Sequence, residues 1–309
     1  MHSEVKNTSV AALAANNLSR SFGAIKALDG LSFSVYPGEL YGLVGPDGAG
    51  KTTAIRALAG LIDRDAGQAQ VMGNDSITGS RSIREAIGLM PQQYSLYRDL
   101  SVAENLDFFS RLYVLPRNVF QKRAKRLLHI TRLAPFVDRR ADALSGGMYK
   151  KLALACALLH EPKVLLLDEP TNGVDPVSRR ELWALLHEFV SAGMAVLVST
   201  PYMDEAERCD RIGLIHHGKL LCEGRPNTLL AEFSDEAYEV VGGNREQLDR
   251  VLLQMSEVKT ILPAGSRLNI TIAKGSSAVV NTAIAPLQTK LIPRTPIFED
   301  VFLSRIGQG

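Results

Sequence analysis

One stretch, Gly45-Pro46-Asp47-Gly48-Ala49-Gly50-Lys51-Thr52, constrains this chain more than any other. It fits the pattern of a glycine, four free positions and then Gly-Lys-Thr. The apolar run Leu40–Val44 before it reads as a short buried strand, and Gly50–Leu61 after it reads as a helix. A loop of this kind needs both neighbours. Its glycines let the backbone turn tightly, so that successive N–H groups face phosphate oxygens. The N-terminus of the following helix adds partial positive charge. Lys51 is then placed to reach β- and γ-phosphates, and Thr52 to offer its hydroxyl to Mg²⁺. The phosphate-binding candidates are Gly45, Pro46, Asp47, Gly48, Ala49, Gly50, Lys51, Thr52 and Thr53.

The surrounding pattern agrees with such a core. Val164–Leu167, Met194–Ser199 and Arg211–His216 read as further buried strands, and a helix is expected near Ser178–Val190. Apolar strands alternating with helices predict an α/β fold with a parallel sheet. Between Ser101 and Leu159 the pattern becomes helical only. Leu106, Phe109, Leu112 and Tyr113 sit at helical spacing, as do Ala124, Leu127, Leu128 and Thr131. A helical subdomain over about residues 95–160 is therefore expected inside the α/β core.

Val164–Leu167 leads straight into Asp168-Glu169-Pro170. A buried strand thus delivers two carboxylates at its C-terminal end, where open α/β sheets bind ligands. Asp168 suits a metal ion, and Glu169 is placed to polarise an attacking water.

Together these motifs resemble the ATP-binding-cassette (ABC) ATPases. The specific mark is Leu144-Ser145-Gly146-Gly147-Met148, which resembles that family's signature loop. The resemblance covers residues 13–232 and implies a P-loop NTPase cassette that binds ATP and Mg²⁺. It implies that Ser145, Gly146 and Gly147 grip the nucleotide of a second cassette. It implies that Gln92 senses metal and water, with Gln93 beside it as the alternative. Gly173-Val174-Asp175 resembles the loop that crosses the dimer interface. Phe22 resembles the aromatic that stacks on adenine, and a core position is its other reading. The expected catalytic set is Glu169, Lys51 and Gln92, and the expected metal set is Thr52, Gln92 and Asp168.

Glu104-Asn105 after Leu100-Ser101 looks like the exporter ATPases of the drug-resistance type, as does the tail Phe298-Glu299-Asp300-Val301-Phe302-Leu303. The loop itself and the stretch Asp175–Trp183 look similar to the N-terminal half of YbhF-type tandem exporters. The resemblance implies two partners: an ABC-2 type membrane permease and a second cassette, supplied as a homodimer, a heterodimer or a tandem half. It implies a cytoplasmic place, peripheral on the inner face of the cell membrane. Lys+Arg 35 against Asp+Glu 33 leaves a net charge of +2, so no nucleic-acid partner is expected. A soluble ribosome-associated ATPase of the same family is an alternative, and a module that holds ATP without turnover is another. No apolar run reaches the roughly 18 residues that span a bilayer, and no secretory signal is read at the N-terminus. The 3 cysteines are scattered, which fits a reducing cytosol.

One position departs from the family. After Ser199-Thr200 a histidine that contacts the γ-phosphate is the family's choice, and here Pro201 stands. Two readings follow. Either the chain's own site is slow or inactive and its signature loop serves a competent partner, or Glu169 suffices. Thr200 is expected to cap a helix with Pro201 at its first position.

Three domains are expected: an N-terminal extension over 1–12, a cassette over 13–233 and a small α+β accessory domain over 234–309. In the last, Tyr238–Val241, Lys259–Leu262 and Leu268–Ile272 read as strands, and Glu246–Met255 and Ser277–Leu287 as helices. Its role is either a packing or dimer-stabilising extension, or regulation.

Overall fold

The computed structural model describes residues 10–93 and 96–306. Of the extension expected over 1–12, residues 1–9 lie outside the described residues. The described chain forms two compact units that divide between Cys222 and Glu223.

In chain order the first unit runs β1 (Leu13–Phe22), β2 (Ile25–Val35), β3 (Leu40–Val44), α1 (Lys51–Leu58), β4 (Ala66–Val71), β5 (Asn74–Asp75), α2 (Ser80–Ala86) and β6 (Ile87–Met90). Then follow α3 (Val102–Leu112), α4 (Arg117–Ile130), α5 (Gly146–Leu158), β7 (Val164–Asp168), α6 (Pro176–Ser191), β8 (Ala195–Thr200), β9 (Arg211–His216) and β10 (Lys219–Gly224), the last crossing the divide. The central sheet has the order β10-β9-β3-β8-β7-β6, and β9, β3, β8, β7 and β6 run parallel. Every residue of β3 and β7 is buried, as strands covered on both faces require. The register pairs Val44 with Thr200 and Asp168 with Ser199. Three adjacent strands therefore end side by side, and the chemistry-bearing loops leave from those ends.

A second, antiparallel sheet in the order β2-β1-β4-β5 was not foreseen. Its buried residues skip the strict period of two. They run Leu13, Ala15, Leu18 in β1 and Leu28, Leu31, Phe33, Val35 in β2. The register shifts between Ala15 and Leu18, where Asn17 takes φ 48°, and again between Leu18 and Arg20, opposite which Gly30 takes φ 71°. A bulge flips which face later residues occupy, so alternation fails as a signal.

The helix after the loop is shorter than expected, ending at Leu58 rather than Leu61. Gly60 at φ 68° stops it: its N–H donates to Ala57 O, and that of Leu61 donates to Arg56 O. That is a glycine-terminated helix end. The helical stretch is as expected. Ser101 and Glu104 form a capping box at the start of α3. The fully buried Asn105 staples the chain before it, accepting from Tyr97 N–H and donating to the carbonyls of Tyr97, Leu100 and Ser101.

The second unit holds α7 (Pro226–Ala231), β11 (Glu236–Gly242), α8 (Arg245–Leu253), β12 (Val258–Ala264), β13 (Arg267–Ile272), α9 (Ser277–Ile284), β14 (Thr289–Pro293) and α10 (Phe298–Ile306). Its sheet is antiparallel with order β12-β13-β11-β14. Val240, Leu268, Ile270 and Ile272 pack against Leu248, Leu252, Val280 and Ile284 as its own core. The helix expected to reach Leu287 ends at Ile284 and closes in a 3₁₀ turn containing Pro286. Strand β14 and helix α10 extend the expected set. Asp300, fully buried, holds α10 by accepting from Arg294 at 2.6 and 2.7 Å.

Candidate functional site

The loop after β3 is built so that side chains cannot fill it. A Cβ on Gly45 would lie 2.2 Å from Ile215 O, and one on Gly50, at φ 108°, would lie 2.4 Å from Ala27 O. At Gly48, φ is 77° and the space beyond is open. Pro46 is half-buried, Asp47 is exposed and Ala49 is buried beneath the loop. Lys51, the first residue of α1, is 3% exposed. Its ammonium donates to Gly45 O at 2.8 Å and Pro46 O at 3.0 Å, and lies 3.6 Å from Glu169 Oε1. Burial pulls the Lys51 pKa below its ordinary value, while the nearby charges of Glu169 and Asp47 oppose the fall. Thr53 sits half-buried two positions into α1.

Beside the loop, Thr52 Oγ1 donates to Asp168 Oδ1 at 3.1 Å, and Ser199 Oγ donates to the same oxygen at 2.6 Å. The Thr52 hydroxyl and the Asp168 carboxylate are oxygen donors of the kind that suits Mg²⁺, whereas the Gln92 amide, expected to join them, is described on Glu169. The open, glycine-lined loop with a buried lysine fits the phosphates of ATP.

Glu169 is 4% exposed and takes φ 50°, a left-handed conformation rare for a non-glycine residue. Its N–H is held by Ser199 O at 3.2 Å and Ser199 Oγ at 3.1 Å. Strain of this kind costs roughly 1–3 kcal/mol and clusters at functional sites. Its carboxylate is fixed by two donors on one oxygen: Gln92 Nε2 at 2.9 Å and Asn172 Nδ2 at 3.2 Å, both to Oε2. The structure thus brings Lys51, Thr52, Gln92, Asp168 and Glu169 together. It is Gln92, not Gln93, whose amide is described on Glu169.

Ser145 caps α5, accepting from Met148 N–H at 3.3 Å. A Cβ on Gly147 would lie 2.3 Å from Ser178 Oγ, so this glycine lets α5 approach α6 closely; Gly146 lies beside Gly173 O. These described contacts place Ser145, Gly146 and Gly147 outside the cluster around Lys51. One link runs back: Lys150 donates to the carbonyls of Glu169 and Asn172. Burial pulls the Lys150 pKa down to about 8, against the pull of Glu169 and Glu205.

Phe22 ends β1 and is 48% exposed, which excludes the core reading; the Arg20 guanidinium lies 5.0 Å from its ring centroid. The expectation at Pro201 needs correction. No helix starts there. A 3₁₀ helix begins at Met203 with Tyr202 as its cap, and Pro201 lies in a bend. The Thr200 hydroxyl does accept from Tyr202 N–H, but its proton goes to buried Glu205 Oε2 at 2.6 Å.

Sequence reasoning missed Glu205 altogether. It is fully buried and also accepts from Thr171 Oγ1 at 3.0 Å and Trp183 Nε1 at 3.3 Å, with Arg179 Nε 3.7 Å away. It ties β8, α6 and the segment after β7 under the site. The run Asp204-Glu205-Ala206-Glu207 holds three acids, and nothing in it singles out the buried one.

Comparison with known proteins agrees with this geometry. A family model described as ABC transporter matches residues 28–172. The "Probable multidrug ABC transporter ATP-binding protein YbhF" of Escherichia coli (strain K12) is 40% identical over 303 residues, 96% of this chain and 52% of YbhF. The chain thus spans about half the length of that relative. The "Nod factor export ATP-binding protein I" of Rhizobium sp. (strain N33) is 37% identical over 291 residues, 94% of this chain and 95% of that protein. A solved structure of an ATP-binding subunit of an ABC transporter superposes with a TM-score of 0.65 at 30% identity, covering 72% of this chain and 93% of its own. With the P-loop, the paired acids and the capped signature helix in place on this sheet, the chain belongs to the ABC transporter family as one of its ATP-binding proteins.

Proposed function

We propose that this chain binds and hydrolyses ATP to drive export through a separate ABC-2 type membrane permease, with turnover at its own site slowed by Pro201. The observation that carries the reading is the convergence of Lys51, Thr52, Gln92, Asp168 and Glu169 at the ends of β3, β6 and β7. In this reading the loop N–H groups and Lys51 bind the phosphates. Thr52 and Asp168 hold Mg²⁺, which offsets phosphate charge. Glu169, kept in place by Gln92 and Asn172, accepts the proton of the attacking water. Phe22 stacks on adenine. Such catalysis works by positioning and electrostatics. Pro201 offers no side-chain hydrogen bond, and loss of one contact to the developing charge costs about 10²–10³ in rate.

Export is supported by the names of the relatives, a probable multidrug ABC transporter ATP-binding protein and a Nod factor export ATP-binding protein. A second cassette is part of the proposal because Ser145, Gly146 and Gly147 lie outside this chain's own cluster. The accessory domain over 234–309 is proposed to stabilise that pair. Among the described residues no helix is long and apolar enough to cross a membrane. Membrane attachment is therefore assigned to the permease. Its proposed dock is the cavity of about 720 Å³ beside β6, the strand that leads to Gln92. Leu61, Leu112 and Val114 line it and are 60%, 62% and 84% exposed, and Arg81 and Arg84 rim it.

Two results are expected. Glu169→Gln should dimerise, or pair with its partner cassette, when ATP and Mg²⁺ are added, as read by analytical ultracentrifugation. Leu112→Glu with Val114→Glu should lose co-purification with an integral membrane protein while keeping the ATPase rate. A Glu169→Gln chain that stays monomeric with ATP and every cassette tested contradicts the composite site. Unchanged co-purification in the double variant contradicts the dock. Because Pro201 is present, a second reading has support: the chain holds ATP without turnover and completes a partner's site. A rate no higher than that of Glu169→Gln would favour it.

A further inference from the structure

We propose that Tyr202 is a positioning residue for Glu169, acting through Asn172. The inference rests on the reading of Glu169 as the group that takes the proton from water. Tyr202 OH donates to Asn172 Oδ1 at 3.3 Å, and Asn172 Nδ2 donates to Glu169 Oε2 at 3.2 Å. An amide has one acceptor end and one donor end. With the phenol on its oxygen, Asn172 must present its NH₂ to the carboxylate. Without the phenol the amide is free to turn its oxygen toward Glu169, and two acceptors then face each other. Glu169 Oε2 is held by only two described donors, Gln92 and Asn172, so loss of one loosens its rotation. The other oxygen, Oε1, faces Lys51 at 3.6 Å.

Tyr202 is itself anchored at both ends. Its N–H donates to Thr200 Oγ1 at 3.1 Å, and that hydroxyl donates to Glu205. Its ring carries the Arg179 guanidinium 4.8 Å from the centroid, a cation–π contact. Arg179 Nε lies 3.7 Å from the same buried glutamate. The fully buried Glu205 therefore fixes Tyr202 by backbone and by ring, and the phenol is the working end. Pro201 presents no polar side-chain atom, which makes Tyr202 the first residue beyond β8 able to reach the cluster.

Tyr202→Phe keeps the ring, the Arg179 contact and the backbone bond, and removes only the phenol oxygen. In the full chain, kcat for ATP hydrolysis should fall about tenfold, with KM for ATP and the melting temperature unchanged. Asn172→Ala should lower kcat by a similar factor. The double variant should fall no further than the larger single effect, because both act along one path. Three outcomes overturn the inference: an unchanged kcat in Tyr202→Phe, multiplicative effects in the double variant, or a kcat loss that comes with equal losses of ATP affinity and melting temperature. Wild type that turns over no faster than Glu169→Gln overturns both this inference and the ATPase reading. Wild type that turns over, beside an unaffected Tyr202→Phe, overturns the inference alone.

Discussion

Lys51→Ala is expected to weaken ATP binding about 30-fold or more. The ammonium is almost fully buried, and its donors point at Gly45 O and Pro46 O on the inner wall of the loop. Burial disfavours its charge, and Glu169 and Asp47 only partly offset that cost. Phosphates arriving at the loop supply the stronger counter-charge. Truncating one partner of a buried charge pair costs roughly 2–5 kcal/mol, which is about 30-fold or more in Kd. The backbone N–H groups and helix end remain, so weak residual binding should persist. Calorimetric titration with ATP and Mg²⁺ reads this directly. A Kd within about threefold of wild type would show that the loop does not use Lys51 for phosphate. Without nucleotide the variant should also melt earlier, because the buried Glu169 carboxylate loses its ion-pair partner Lys51.

Glu205→Ala should have the largest effect on stability, about 3–5 kcal/mol. The carboxylate is fully buried, and Thr171, Thr200 and Trp183 all donate to it. Alanine leaves those donors unpaired and leaves Arg179 beside an empty space with no counter-charge. Glu205→Gln keeps the shape and part of the acceptor capacity, so its loss should be smaller. The chain has a single tryptophan, Trp183, and it lies 1% exposed in the first unit. Its fluorescence therefore follows unfolding of that unit in urea. A Glu205→Ala midpoint equal to that of wild type would mean that Glu205 is not the anchor described here.

Much of the site was legible because its chemistry lies in contiguous residues. Gly45–Thr52 needs glycine for close packing against Ile215 O and Ala27 O, so the requirement is written into the chain. The run Val164–Leu167 is apolar throughout because β7 is buried on both faces, and Asp168 and Glu169 follow at its end. What stayed hidden depends on residues distant in sequence or on breaks in period. The bulges at Asn17 and Gly30 scrambled the alternation of β1 and β2, so a whole sheet went unread. Glu205, Asn172 and Tyr202 gain meaning only when β8 and the segment after β7 lie side by side. The reading of Pro201 as a helix start failed for a related reason. The Thr200 hydroxyl accepts from Tyr202 N–H and donates to Glu205, but Pro201 lies in a bend and the 3₁₀ helix begins only at Met203. In the second unit the helices α8 and α9 overlap the expected segments Glu246–Met255 and Ser277–Leu287. Strand β14 was missed because it is short and half-exposed, with Pro293 at its end.

In the proposed function Glu169 drives ATP hydrolysis at this chain's own site, slowly because position 201 is proline. Steady-state ATP hydrolysis by wild type, Glu169→Gln and Pro201→His is the decisive measurement. A slow wild-type rate, a Glu169→Gln rate at background and a Pro201→His rate about 10²–10³-fold above wild type are expected. A wild-type rate indistinguishable from Glu169→Gln would contradict that function.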